Sequence, residues 1–103
     1  MVIFSVLYPA TPGASFDQAY YDATHIPLVK EAFTSTGLTD VQVFVGVSAR
    51  DGGPPPFVAM AHLAFTDAAA MQASLAGPRG EEVRGDVANF TAITPIVQVS
   101  TRD

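Results

Sequence analysis

Four runs of apolar residues and two helical stretches, in the order β-α-β-β-α-β, predict an α+β domain of the split-βαβ, ferredoxin-like class. Two observations carry this expectation. The extended runs alternate with a period of two, and the stretches between the first and second and between the third and fourth repeat with a helical period. A third observation extends it. The strands are mostly apolar on both faces, and two helices can cover only one face of a four-stranded antiparallel sheet. The same face of a second copy is the simplest cover, so the expected assembly is a homodimer forming an α/β barrel.

The first strand is read over Val2 to Tyr8, with Val2, Phe4, Val6 and Tyr8 on one side and Ile3, Ser5 and Leu7 on the other. Pro12-Gly13 breaks it. The helix from Phe16 to Phe33 follows, with Ser15 as its expected N-cap and Asp17 in its first turn. Phe16, Tyr20, Ala23 and Pro27 form one stripe, and Tyr21, His25, Leu28 and Ala32 the next. Pro27 has no N–H for the carbonyl of Ala23, which predicts a kink or a new, shorter helix there. Thr36-Gly37 ends the element, Gly37 being suited to a left-handed C′ position.

Strands are expected at Val41 to Val47 and Phe57 to Phe65, joined by the turn-rich RDGGPPP from Arg50 to Pro56. Thr66 caps a second helix that buries Ala68, Met71 and Leu75 and breaks at Gly77-Pro78. One or two further turns lie between Glu81 and Phe90, and Ile93 to Ser100 is the last strand.

All 103 residues form one domain on this reading. Net charge is −5, with five scattered Lys and Arg, so a phosphate backbone or an anionic membrane would meet no basic patch. Neither nucleic acid nor membrane is expected as a partner. Without cysteine there is no disulfide, thiolate metal site or Cys nucleophile, and two histidines with no ligand spacing make no recognised metal site. The N-terminal apolar run stops at Pro9 without a basic region before it, and the expected location is the cytoplasm. No glycine-rich nucleotide motif or nucleophile elbow occurs, and no cofactor is expected.

His25 is the first candidate for chemistry, because an imidazole exchanges protons near neutrality. Asp22, three residues earlier, is one group to orient it, and Asp86, brought in by the fold, is the other. Two readings stand side by side: a general acid–base, and a structural histidine locking the helix to the chain near Asp86. Tyr20 and Tyr21 offer one hydroxyl to a pocket and one ring to the core. His62, flanked on its face by Val58, Met60 and Ala64, lines either the helix-side pocket or the dimer interior, or is a hydrogen-bonded core histidine.

The run Phe16…Tyr20-Tyr21…His25-Ile26-Pro27-Leu28-Val29 resembles the motif of the EthD family, an aromatic pair followed after three residues by His-x-Pro-Leu. Phe65-Thr66-Asp67 resembles that family's strand-to-helix joint, and Asp86 with Phe90 its downstream D-x-x-x-F. Tyr21 stands where the family often has Trp. The resemblance implies a dimeric α/β barrel, in a superfamily that includes cofactor-free monooxygenases, polyketide cyclases, muconolactone isomerase-like enzymes and haem-binding proteins. Taken with the reading of the residues, the candidate site is His25 with Asp22 and Asp86, and Tyr20, Tyr21, His62 and Phe90 are the candidate ligand contacts. The ligand that the resemblance implies is a small hydrophobic or aromatic metabolite of catabolic or secondary metabolism. Oxidation, isomerisation and cyclisation all remain open. So does a non-catalytic role as carrier or accessory to an oxidase, or as a haem protein.

Overall fold

The computed structural model describes residues 1–102, so of the domain expected over residues 1–103 only Asp103 lies outside. Four strands, β1 (Val2–Pro9), β2 (Leu38–Val45), β3 (Phe57–Phe65) and β4 (Ile96–Thr101), form one antiparallel sheet in the order β2-β3-β1-β4. Helical segments α1 (Gln18–Tyr20) and α2 (Ile26–Phe33) lie between β1 and β2, and α3 (Ala68–Ala76) and α4 (Pro78–Asp86) between β3 and β4. This is the ferredoxin-like order read from the sequence.

The period of two sorts the side chains as expected. Val2, Phe4, Val6 and Tyr8 pair with Phe65, Leu63, Ala61 and Ala59 on the helix side, where the core lies. Ile3, Ser5 and Leu7 pair with Ala64, His62 and Met60 on the other side, which no helix covers. That open face is less apolar than expected. A polar belt crosses its centre, where Ser5 Oγ and His62 Nδ1 are 2.7 Å apart and Gln42 and Gln98 lie in register beside them. Phe44 and Ile96, each about half exposed, flank the belt.

Several boundaries differ from expectation for identifiable reasons. The first helix begins later than Ser15, because the chain there runs extended. Phe16 forms a bridge with Thr91, the carbonyl of Ser15 accepts from Thr91 Oγ1, and the N–H of Asp17 donates to the carbonyl of Phe90. Asp17 is therefore the N-cap, its carboxylate accepting from the N–H of Tyr20. Asp67, not Thr66, caps α3 in the same way through the N–H of Ala70. Strand β2 starts immediately after Gly37 and stops at Val45, leaving Val47 outside. Gly37 makes this direct passage possible. It has φ +107°, and a Cβ there would collide with the Cβ of Ala70. Pro78 does more than break a helix: it opens α4, where its missing N–H is harmless.

At Pro27 the chain responds with a π-turn. Residues Tyr21–His25 bond i→i+5, the N–H of Ile26 reaching the carbonyl of Tyr21, and α2 continues beyond. The wider turn redirects the stripes. The buried positions are Tyr21, His25, Ile26, Val29, Ala32 and Phe33, while Leu28 is only half-buried and Pro27 exposed.

Candidate functional site

Two segments far apart in sequence are zipped together where residues 15–17 meet residues 90–91. That seam brings the π-turn against the end of α4, and it decides which carboxylate meets His25. His25 Nδ1 lies 2.8 Å from Asp86 Oδ2. Tyr20 donates its hydroxyl to Asp86 Oδ1 at 2.6 Å, and Asn89 donates from Nδ2 to the same oxygen at 2.9 Å. Asp86 thus accepts three hydrogen bonds in a site where its side chain is only 11% exposed.

The electrostatics follow from these contacts. Burial pushes the Asp86 carboxyl up, but the hydrogen bonds from Tyr20, Asn89 and His25, with the charge of the imidazole, outweigh it. The net position is below the ordinary carboxylate range. Asp86 is therefore ionised at neutral pH and can only accept, which assigns the proton to Nδ1 of His25. The hydrogen bond to Asp86, followed by burial, raises the pKa of Tyr20, so its hydroxyl remains a donor. Burial pushes Tyr8 up to about 12 and raises Tyr21 further, with Tyr8 and Asp22 nearby adding to the effect on Tyr21.

The imidazole is gripped on its faces as well. Tyr21 stacks on it with ring centroids 5.5 Å apart, and Phe90 tilts against it at 4.7 Å. Tyr8 and Phe16 complete the aromatic packing around Tyr21 and Phe90. His25 itself is 4% exposed. With Nδ1 committed to Asp86, Nε2 has no protein partner among the described residues and is not completely buried.

What lies beside it is a cavity of about 370 Å³ between sheet and helices. Its wall is formed by Phe4, Val6, Tyr8, His25, Leu75, Val83, Arg84, Val87, Pro95 and Val97. The polar side chains among them are those of Tyr8, His25 and Arg84. The size lies near the small end of small-molecule sites, and the lining, apolar with a few polar groups, is typical of them. An imidazole held in one tautomer by a carboxylate, with its ring in the wall of an apolar cavity, can take a proton from a bound molecule and be stabilised as imidazolium.

The expected site residues are thus separated into groups. His25 and Asp86 are in contact, and Tyr20 joins them by binding Asp86 rather than a ligand. Asp22 is not part of the site: it is exposed and accepts from Gln18 Nε2 at 2.9 Å. The π-turn is the reason, since each residue of a wider i→i+5 turn rotates less than in an α-helix, so a residue three places away falls short of the same face. Tyr21 and Phe90 do not line the cavity. They pack behind the imidazole. His62 is on the opposite face of the sheet, bonded to Ser5 and edge-on to Phe44 at 5.6 Å.

Sequence reasoning missed Asn89, Tyr8, Arg84, Val83, Val87 and Val97. The spacing Asp86-x-x-Asn89, one helical turn, was the available signal for Asn89. Tyr8 ends the inward-facing row of β1 and could have been found by following that row to its end. Arg84 carried no signal in the sequence. Among the described residues, no three His, Cys, Asp or Glu side chains converge as a metal ligand set. No helix among them is long and apolar enough to cross a membrane.

Comparison with known proteins adds to this picture. The model of the EthD domain matches residues 13–94, which span the seam, the π-turn, the cavity helices and Asp86. An uncharacterised 11.0 kDa protein from the thcB-thcC intergenic region of Rhodococcus erythropolis is 34% identical over 87 residues, covering 82% of this chain and 77% of its own. The crystal structure of an EthD-like protein from Ralstonia eutropha matches with a TM-score of 0.87 at 37% identity, over 96% of this chain and 88% of that one. SnoaB, a cofactor-independent oxygenase from Streptomyces nogalater, shares the fold with a TM-score of 0.68 at 14% identity, over 99% of this chain and 92% of its own.

Proposed function

The chain belongs to the EthD family, and from that premise we propose that it takes a small hydrophobic or aromatic metabolite into the cavity and moves a proton on it with His25. The observation that carries this reading is the position of the imidazole. Nδ1 is held 2.8 Å from an ionised Asp86, and the ring forms part of the cavity wall.

Each residue has a role that follows from its contacts. Nε2 of His25 takes the proton. Asp86 fixes the tautomer and stabilises the imidazolium. Tyr20 and Asn89 hold Asp86 in its ionised form, and Tyr21 and Phe90 fix the plane of the ring. The apolar wall excludes water, which strengthens the charge interaction at the moment of transfer. Isomerisation, cyclisation and cofactor-independent oxidation of an acidic ligand share this first step, and the fold likeness to SnoaB is in keeping with the last.

A carrier without turnover is the second reading, and one observation favours it. The Asp86 network ties the π-turn to the end of α4, which is a latch whether or not a proton moves. As for assembly, the homodimer is proposed to form through the open sheet face, with Phe44 and Ile96 at its contact.

The test is a thermal-shift screen of phenols, quinones, lactones and aromatic polyketides against wild type, Val97→Trp and His25→Gln. Val97 lines the cavity and is half exposed, so a larger ring there fills space without crowding the core. Hits are expected to raise the melting temperature of wild type by mass action and to lose this effect in Val97→Trp. His25→Gln should keep binding and lose turnover of the hit. Turnover that survives His25→Gln removes the base role, and binding indifferent to Val97→Trp places the ligand elsewhere.

A further inference from the structure

The cavity wall contains a single cation. Arg84, on α4, lines the cavity and is exposed, so it stands where the apolar space meets solvent. Its Nη1 donates to the carbonyl of Leu75 at 2.7 Å, which anchors the guanidinium against the last turn of α3. Among the described residues no carboxylate pairs with it. Arg79, on the same helix, pairs with both Glu31 and Glu82. Lys30, Arg50 and Arg102 also lack an acidic partner among the described residues, so what sets Arg84 apart is its place in the cavity wall.

Anchoring through Nη1 leaves the Nε–Nη2 edge, whose two parallel N–H groups match the two oxygens of a carboxylate. Capping the end of α3 accounts for the bond from Nη1. It does not account for an unpaired fork beside an apolar cavity that has no acid of its own.

We infer that the ligand is a hydrophobic acid. Its apolar body fills the space among Val6, Leu75, Val83 and Val97, and its carboxylate lies on the free edge of Arg84, which orients the molecule with respect to His25. This inference rests on the cavity being the ligand site, as proposed above.

Calorimetric titration of the intact protein tests it. The probes are benzoate, 2-naphthoate and decanoate, each paired with its primary amide, against wild type, Arg84→Met, Arg84→Lys and Val97→Trp. In wild type the acid should bind roughly tenfold tighter than its amide, between the worth of an exposed ion pair and that of a desolvated one. In Arg84→Met the preference for acid over amide should collapse. Arg84→Lys, which keeps the charge but not the fork, should retain part of it. Added salt should weaken the preference in wild type. Acid and amide binding alike in wild type, or a preference that survives Arg84→Met, overturns the inference and leaves the cavity reading in place. No binding by any pair, or binding that Val97→Trp does not disturb, removes the cavity reading and this inference with it. Should Arg84→Met lose its cooperative urea transition, Arg84→Lys and the salt dependence of wild type decide the same question.

Discussion

Replacing Asp86 with asparagine keeps the shape of the side chain and removes its charge. The carboxylate accepts from Tyr20 at 2.6 Å, His25 at 2.8 Å and Asn89 at 2.9 Å. An amide has one accepting oxygen, so Tyr20 and Asn89 keep a partner while an NH₂ group meets the Nδ1–H of His25. Two donors then face each other. Either that bond is lost, or the proton moves to Nε2 and the cavity-side nitrogen becomes a donor instead of a base. Losing one charged hydrogen bond and weakening two others should cost about 2–4 kcal/mol, which for a domain of this size is a fall in melting temperature on the order of 10–25 °C. Turnover, where present, should fall by roughly 10²- to 10⁴-fold. The pH dependence has a definite sign. Because the folded-state pKa of Asp86 is lowered, its stabilisation is fully present above the ordinary carboxylate range and is lost as pH falls through the lowered value. Urea unfolding should therefore show the full gap between wild type and Asp86→Asn near pH 7, narrowing below about pH 4. Long-range ¹H–¹⁵N spectra should show a hydrogen-bonded Nδ1–H in wild type only. A gap that does not narrow on acidification, or an Nδ1–H still hydrogen-bonded in a folded mutant, would refute the reasoning.

Two further outcomes are expected. Gly37→Ala should lower stability by about 2–4 kcal/mol, from left-handed strain and collision with Ala70. Gly13→Ala, also at positive φ but with open space around it, should cost only about 1–2 kcal/mol, and equal losses in urea unfolding would remove the steric part of the argument. Phe44→Asp places a charge on the open sheet face and should shift sedimentation at micromolar concentration from dimer to monomer; a wild type that sediments as a monomer ends the dimer proposal.

Strand facing was readable because β1 and β3 are long unbroken runs whose side chains must alternate between faces, and Gly37 because only a residue without Cβ suits that passage. The start of β2 was hidden because Thr39 and Asp40 are polar, which an edge strand tolerates on its exposed positions. His25 stood out by its neighbours in the motif, but its partner did not. Asp22 and Asp86 were equally plausible in one dimension. The choice is made by the seam at Phe16 and Thr91 and by the π-turn, neither of which has a local pattern. Pro27 announced a disturbance without showing whether the helix would kink or widen. The cavity wall was least legible, because it is assembled from β1, the π-turn, α3, α4, β4 and the chain between the last two, and space between elements has no sequence period.

The π-turn also bears on how such a chain can vary in length. An i→i+5 turn holds one residue more than an α-helical turn, so it absorbs a residue that a regular helix would carry around its axis. Were Tyr21–His25 wound as an α-helix with the same count, everything before them would rotate by about 100° relative to α2. Tyr20 would leave Asp86, and the extended segment at residues 15–17 would lose its alignment with Thr91. Deleting Ala23 or Thr24 and closing the wide turn would, by the same geometry, leave the two ends nearly in phase. Length changes can be absorbed in the connection between β2 and β3, where Gly52 stands in open space. Designed insertions should fall there, and a one-residue deletion at the π-turn is the length change the helix should tolerate.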